Sequence, residues 1–350
     1  MLAELVDVVI GVDTHTDTHT AAVVTAATGA LVATVTVPSD AEGYAELLEF
    51  ADRHGGLRAW AIEGTGGYGA GLARHLGEHE ELVVELDRPG RPARRGGAKS
   101  DPLDAARAAR EALSRARPAQ PKTGPQRAAL QMLLTVRRGA VNACADAQRQ
   151  LRALIITAPE QVRARFRGQT ITTMISTAAR LRPHTAAEDV HVSTAMTALK
   201  TLARRIQTLE VEAAEQEKAI RAIVRSWRPD LLPLRGVGPI VAATVLAAWS
   251  HPGRCRNHSA FAMLAGTAPI PASSGKTVRY RLNPSGDRQL NRAIHTIAVS
   301  RLRYDPDTRA YAERRTTEGK TDPEIRRCLK RYITRQLYRQ LEHPPQPQRA

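Results

Sequence analysis

Two acidic residues stand at the start of a predicted helix, in the stretch Lys99-Ser100-Asp101-Pro102-Leu103-Asp104-Ala105. With Pro102 at the first helical position, their spacing of three places the carboxylates of Asp101 and Asp104 on one face of the first turn. Acidic residues also suit a helix start simply as caps and as partners of the helix dipole. Taken by itself, this segment favours capping over chemistry.

Two isolated acids upstream shift that balance. Asp13 ends the apolar segment 6–13, and Glu63 ends the apolar segment 57–63. Four carboxylates brought together repel one another strongly unless cations lie between them. Hard divalent cations such as Mg²⁺ take oxygen ligands of this kind. A magnesium site therefore becomes the alternative to capping.

The elements that must position these acids follow a recognisable order. Strands are predicted at 6–13, 19–26, 31–37, 57–63 and 82–86, with helices at about 41–54, after the glycine-rich turn 64–69, and from Asp101 onward. This is the element order of a ribonuclease H-like fold, in which the ends of the first and fourth strands lie side by side. We therefore expect Asp13 and Glu63 to lie close together, with the Asp101 helix beside them.

Composition and charge indicate the partner. The chain has 350 residues, enough for two or three domains, and a formal net charge of +16. Such an excess of Lys and Arg favours nucleic acid, which releases counterions when it binds. No apolar run approaches the length of a membrane-spanning helix and no signal peptide opens the chain, so we expect a cytoplasmic protein without a membrane partner. Cys144, Cys255 and Cys328 lack CxxC spacing and are expected to be reduced thiols.

The middle of the chain predicts long helices. Residues 118–125 have a linker composition, and helices follow at about 126–157 and 186–225. The second helix carries apolar positions three and four apart: Leu199, Leu202, Ile206, Leu209, Ala213, Gln216, Ile220 and Ile223. Such a seam fits an antiparallel hairpin or a dimer-forming coiled coil, and ordinary packing within one subunit fits as well.

The chain therefore divides into an α/β part and an all-α part. We expect an N-terminal ribonuclease H-like domain at 1–117 and a helical, coiled-coil region at 118–228. A mainly helical C-terminal domain at 229–342 and a disordered tail at 343–350 complete the division.

A glycine motif opens the C-terminal part. Gly236 and Gly238 stand in Leu-Arg-Gly-Val-Gly-Pro, ahead of an apolar helix at 240–249. The motif resembles the hairpin of helix-hairpin-helix modules, in which backbone N–H groups at a helix start hold DNA phosphate without reading sequence. A plain glycine turn is the alternative.

A serine-containing turn follows further along, in Ser273-Ser274-Gly275-Lys276. An exposed hydroxyl, a flexible backbone and nearby cations are what a nucleophile for phosphate requires. The same tetrapeptide is common in ordinary surface turns. The candidate nucleic-acid contacts of this part of the chain are Gly236, Gly238, Lys276, Arg279, Arg281, Arg288 and Arg292.

With these motifs in order, the chain resembles the DEDD transposases of bacterial insertion sequences. The resemblance rests on Ile-Gly-Val-Asp-Thr-His with the later His19, Ile-Glu-Gly-Thr-Gly, the Asp101 stretch, Leu-Arg-Gly-Val-Gly-Pro, Ala-Gly-Thr-Ala-Pro, Ser-Gly-Lys and Gly-Asp-Arg-Gln-Leu-Asn-Arg. It implies a RuvC-like N-terminal domain joined to a C-terminal transposase domain that carries a catalytic serine. The implied activity is metal-dependent cleavage and exchange of DNA strands.

The resemblance also implies roles for particular residues. The family's four metal-binding acids correspond to Asp13, Glu63, Asp101 and Asp104, and its nucleophile to Ser274, with Ser273 as the alternative one position away. Members are guided by a structured RNA from their own element.

We accordingly expect Mg²⁺, as two ions, donor and target DNA, a guide RNA, a dimer or tetramer, and association with the nucleoid. A RuvC-like nuclease that uses metal-activated water is one alternative. A non-catalytic nucleic-acid-binding protein is the other.

Overall fold

The structure is a computed structural model that describes residues 1–86, 100–183, 189–272, 280–281 and 283–344. The chain divides into two units, Met1–Thr123 and Gly124–Ala350. The first unit is a mixed α/β unit, and the second is almost entirely helical.

A five-stranded sheet organises the N-terminal unit. Its strands are β1 (Val8–Thr14), β2 (Thr18–Thr25), β3 (Leu31–Pro38), β4 (Arg58–Glu63) and β5 (Val83–Leu86), in the spatial order β3-β2-β1-β4-β5. β1 pairs antiparallel with β2 and parallel with β4. The helices are α1 (Ala41–Asp52), α2 (Ala70–Glu78) and α3 (Asp101–Ser114). The order of elements matches the prediction, and β1 and β4 are neighbours as expected.

The two faces of this sheet differ in side-chain size. Because side chains alternate along a strand, one face carries small residues that pack against α3, and the other carries large ones that pack against α1 and α2. The centre of the α3 face is built from Val9, Ala22, Ala59 and Ala61 with Ala105, Ala106, Ala108, Ala109 and Ala112, and larger side chains such as Val24, Val84 and Leu86 complete the cluster. The opposite face is built from Ile10, Val12, Trp60 and Ile62 with Leu47, Phe50, Leu72 and Leu76.

Gly11 is the point of closest approach between β1 and α3. A Cβ atom at this position would overlap the carbonyl oxygen of Ala105 and lie 2.6 Å from the backbone nitrogen of Ala109. Both are backbone atoms that cannot move aside without shifting the helix. Glycine therefore lets α3 rest directly on β1, which brings the start of α3 near the end of that strand.

Two long helices form the frame of the second unit. α4 (Pro125–Thr157) and α7 (Val190–Trp227) run antiparallel, since Leu130 near the start of α4 shares a cluster with Val224 near the end of α7. At the opposite ends, Ile155 of α4 shares a cluster with Leu199 of α7. The apolar seam of the second helix thus packs against α4 of the same chain, as both the antiparallel-hairpin and the ordinary-packing alternatives predict. Short helices α5 (Glu160–Arg163) and α6 (Ile171–Ala179) connect the pair.

The remaining helices surround an apolar core built from Trp249, Phe261, Ile294 and Leu337. They are α8 (Pro239–Trp249), α9 (His258–Leu264), α10 (Arg288–Tyr304), α11 (Pro306–Thr317) and α12 (Asp322–Glu342), with the two-residue strands β6 (Ile270–Pro271) and β7 (Tyr280–Arg281) between α9 and α10. Within the described ranges, no helix is both long and apolar enough to cross a bilayer.

The second unit contains both the predicted helical region, 118–228, from residue 124 onward and the predicted C-terminal domain, 229–342. The limits between these two segments remain predictions. Residues 345–350 of the predicted disordered tail lie outside the described part of the chain.

Candidate metal centre

Asp13 and Glu63 lie next to each other on the small-residue face of the sheet. Asp13 follows Val9 and Gly11 in the alternation of β1, and Glu63 follows Ala59 and Ala61 in that of β4. The parallel register ends at Val12 opposite Ile62, one residue before the two acids. The Thr14 hydroxyl donates to the Glu63 carbonyl at 3.1 Å and ties the two strand ends together. The predicted juxtaposition of strand ends is present.

Asp101 and Asp104 lie in the first turn of α3. The helix begins at Asp101, so Pro102 is its second residue instead of its first. Ser100 occupies the N-cap position, and its side chain makes no capping hydrogen bond. The Asp104 carboxylate accepts a hydrogen bond from Arg107 at 2.8 Å. Neither aspartate occupies the N-cap position, although both lie in the first turn, where acidic side chains also suit the helix dipole.

Three side chains converge between the end of β1 and the start of α3. The Nε2 atom of His15 lies 3.2 Å from Asp13 Oδ2 and 3.7 Å from Asp101 Oδ1. One donor atom from each of the three residues lies within 4.8 Å of the other two. The Asp13 side chain is 17% exposed, whereas those of His15 and Asp101 are about half exposed. The group is thus anchored at the sheet and open to solvent on its outer side.

Neighbouring charges affect the ionisation of Asp13. Burial raises the pKa of its carboxyl group, the neighbouring His15 lowers it, and the negative charges of Asp101 and Asp104 raise it again. Within the described residues, the carboxylates of Glu63 and Asp104 fall outside the three-donor group. Asp104 is nonetheless close enough to affect the ionisation of Asp13. A divalent cation would relieve this repulsion, so the chemistry of the donor set fits a metal.

His15 is a member of the site that sequence reasoning missed. It entered the prediction only as the last residue of the motif Ile-Gly-Val-Asp-Thr-His. The signal was present, because a residue two positions after Asp13 continues the same face of the strand. His19, also part of the predicted pattern, lies elsewhere. It is fully buried, stacked on Tyr44 with ring centroids 5.7 Å apart, on the large-residue face of the sheet.

The predicted site residues of the second unit are only partly visible. Ser273, Ser274, Lys276 and Arg279 lie outside the described residues. Arg281 is exposed on β7, and Arg288 and Arg292 are exposed on the first turns of α10. Gly236 has a φ of +81° and its α-carbon faces the backbone of Ile297, while Gly238 is the N-cap of α8.

The described flanks of the serine-bearing segment are tied together. Gly266, with φ +62°, would place a Cβ atom 2.7 Å from the Ser285 carbonyl oxygen, so the chain passes itself at close range there. The Asn291 amide donates to the carbonyl oxygens of Ala265 at 2.7 Å and Gly266 at 3.1 Å. The Lys330 ammonium donates in turn to Asn291 Oδ1 at 2.5 Å. These contacts hold Ala265 and Gly266, which precede the serines, next to Ser285 and the first turn of α10, which follow them.

Comparisons with known proteins agree with this arrangement. The family model for DEDD transposases of the IS110 type matches residues 10–158, which include all four acids. The model for the Transposase IS116/IS110/IS902 family matches residues 230–313. Both models describe transposases of insertion elements.

Two curated relatives point the same way. The chain is 32% identical over 130 residues to the insertion element IS900 uncharacterized 42 kDa protein of Mycobacterium paratuberculosis, covering 36% of this chain and 33% of the relative. It is 32% identical over 114 residues to the insertion element IS110 uncharacterized 43.6 kDa protein of Streptomyces coelicolor, covering 31% of this chain and 28% of the relative. The chain thus spans about a third of the length of these relatives. It belongs to the IS110 family of transposases.

Proposed function

We propose that this protein is an insertion-sequence transposase that cleaves and exchanges DNA strands with the help of divalent metal. The observation that carries the proposal is the convergence of Asp13 and Asp101 at one edge of the sheet, with Glu63 beside Asp13 and Asp104 in the same helical turn as Asp101. The finer assignment of this unit as a RuvC-like, ribonuclease H-like domain is supported by its strand order.

The four acids, Asp13, Glu63, Asp101 and Asp104, would hold the metal, which we propose to be Mg²⁺ as two ions. When bound, such ions orient the scissile phosphate and stabilise negative charge on the leaving oxygen. Asp13 supplies a carboxylate fixed by the sheet, and Asp101 supplies one that faces solvent, where a DNA strand has access. Gly11 keeps the helix that bears Asp101 close to the strand that bears Asp13.

Ser274 is proposed as the nucleophile, with Ser273 as the alternative. Its hydroxyl oxygen would attack the phosphorus and form a phosphodiester to one DNA end, while the other end leaves with a free hydroxyl group. Lys276, Arg279 and Arg281 would neutralise the phosphate oxygens. The contacts of Asn291 with Ala265 and Gly266 support a fixed base for this segment.

The proposed partners are donor and target DNA and a structured guide RNA. Gly236, Gly238, Arg288 and Arg292 are proposed to contact phosphate, with the glycines in a helix-hairpin-helix-like motif. A dimer or tetramer, a coiled-coil contribution from α7, and a cytoplasmic, nucleoid-associated location remain part of this proposal. The net charge of +16 supports a polyanionic partner.

The test is strand exchange by the full chain on supercoiled DNA that carries the element with its flanking sequence, supplied with RNA transcribed from those flanks and with Mg²⁺. We expect Asp101→Asn to abolish cleavage while DNA binding persists. Glu78→Gln, an exposed carboxylate change in the same unit, should leave cleavage intact. Ser274→Ala should remove the covalent protein–DNA band from a denaturing gel.

The other outcomes decide between the alternatives. Cleavage without any covalent species in the unaltered protein would indicate a nuclease that uses metal-activated water. Salt-sensitive DNA binding without turnover in Mg²⁺ would indicate a non-catalytic binding protein. Unchanged cleavage by Asp101→Asn would overturn the proposed site.

A further inference from the structure

His15 lies in the candidate metal centre together with Asp13 and Asp101. The residue follows β1 by one position and continues the face that carries Asp13. Its backbone N–H donates to the Thr18 carbonyl at 3.1 Å, which fixes the tight connection to β2. The imidazole is therefore placed by the hairpin and directed toward the start of α3.

The distances around His15 match those between ligands of one ion. In an octahedral site with metal–ligand bonds of about 2.1 Å, neighbouring donor atoms are about 3 Å apart and opposite ones about 4.2 Å apart. Nε2 lies 3.2 Å from Asp13 Oδ2 and 3.7 Å from Asp101 Oδ1, and the three donors fit within 4.8 Å. One ion can thus reach all three atoms with small side-chain adjustments.

From this geometry we propose that His15 is a nitrogen ligand of the metal centre and biases it toward Mn²⁺ over Mg²⁺. The inference rests on the proposed function, because it takes the carboxylates as the other ligands. Mg²⁺ strongly prefers oxygen ligands, whereas imidazole nitrogen suits first-row transition metals. A site with one imidazole among carboxylates binds Mn²⁺ with less penalty than Mg²⁺.

A simple hydrogen bond between His15 and Asp13 is the structural alternative. Together with a charge contact to Asp101 at 3.7 Å, it accounts for both distances without a metal. Shared coordination explains the same two distances and predicts in addition that the imidazole nitrogen contacts a bound cation, which is what the test measures.

The test uses the full chain without a polyhistidine tag, loaded with Mn²⁺ and studied by electron spin echo envelope modulation. We expect nitrogen modulation from the bound Mn²⁺, altered when histidine is labelled with ¹⁵N and absent in His15→Ala. His79→Gln, an exposed histidine change in the same unit, should keep the modulation. His15→Gln, which retains a polar side chain of similar reach, provides a second variant where His15→Ala folds poorly.

Competition between the two metals gives an independent readout. The ratio of the Mg²⁺ to the Mn²⁺ dissociation constant should fall on the order of tenfold when His15 is replaced. Bound Mn²⁺ without nitrogen modulation would overturn the role of His15 and leave the carboxylate site standing. Failure of the unaltered chain to bind Mn²⁺ at all would overturn both.

Discussion

The two faces of the N-terminal sheet are built from the same strands and serve different ends. One face packs Trp60, Ile10 and Ile62 against large apolar residues of α1 and α2. The other packs alanines and Gly11 against the alanines of α3. Large side chains bury more apolar area, at roughly 25 cal/mol per Å², so each large side chain of the first face contributes more hydrophobic stabilisation than an alanine of the second.

The alanines of the small-residue face bury less apolar surface than larger side chains would, but they allow α3 to approach β1 closely. Because α3 rests on the backbone of β1 at Gly11, its first turn reaches the end of the strand that carries Asp13. A helix seated on leucine-sized side chains would be held farther from the strand. The comparison shows that alanine and glycine let α3 approach β1 closely. This approach brings Asp101 near Asp13.

Gly11→Ala should give the largest effect. The added Cβ atom meets backbone atoms of Ala105 and Ala109, so α3 has to move away from β1. We expect a loss of about 3 kcal/mol in unfolding free energy and at least about a tenfold weaker Mn²⁺ affinity in the molecules that remain folded, since ligand geometry is lost. Chemical denaturation and calorimetric Mn²⁺ titration measure the two quantities.

Leu47→Ala is the matched control on the other face. It removes a fully buried side chain from the large-residue cluster and should also cost about 3 kcal/mol. Because it leaves the α3 contact alone, Mn²⁺ affinity of the folded protein should not change. Equal loss of metal affinity in both variants would show that the two faces do not divide their tasks in this way.

Asp13→Asn should give a smaller effect of opposite sign on metal-free stability. The pKa of Asp13 is raised by burial and by neighbouring acids, so the folded chain holds this proton more tightly than the unfolded chain. The contribution of Asp13 to stability therefore falls as the pH rises through its folded-state pKa. At neutral pH, in chelator, the neutral amide should increase the unfolding free energy by about 1 kcal/mol.

This gain should shrink as the pH is lowered below that pKa, because the native carboxyl group then becomes neutral as well. Thermal unfolding in chelator across a pH series measures the trend. A variant less stable than the unaltered protein at neutral pH would contradict the claim that the carboxylates are held in mutual repulsion.

Asp101→Asn combined with Asp104→Asn should give the subtlest effect. The negative charges of Asp101 and Asp104 raise the pKa of Asp13, and their effects are smaller than those of burial and of His15. Removing both charges should therefore shift the pKa of Asp13 downward, toward its ordinary value. Carbon-detected NMR titration of the Asp13 carboxyl group follows this shift, and Glu78→Gln should not change it. An unchanged pKa would place the α3 acids too far away to share a cation.

Much of the first unit could be predicted from sequence because local patterns decide it. Alternating apolar residues ending on Asp13 and Glu63 indicated two strands, and parallel strand ends meet at one edge of a sheet. Ser100-Asp101-Pro102 indicated a helix start within one residue. The closeness of α3 at Gly11 depends on tertiary packing, and one glycine in a strand does not reveal which backbone will approach it.

The rest of the site depended on context that sequence patterns do not carry. A histidine two residues after a strand acid does not by itself indicate a ligand, and only the position of α3 shows that His15 also faces Asp101. The heptad-like seam of α7 did not state where its partner lay, and the structure places α4 of the same chain there. The contact of Asn291 with Gly266 joins residues 25 positions apart and had no periodic signal.

Anomalous diffraction from crystals of the full chain grown with Mn²⁺ tests the central claim most directly. The account predicts an anomalous peak about 2.2 Å from a carboxylate oxygen of Asp13 and from one of Asp101, since that is the usual length of such bonds. A well-occupied peak elsewhere, with the Asp13 and Asp101 carboxylates turned apart and bare at saturating Mn²⁺, would contradict it.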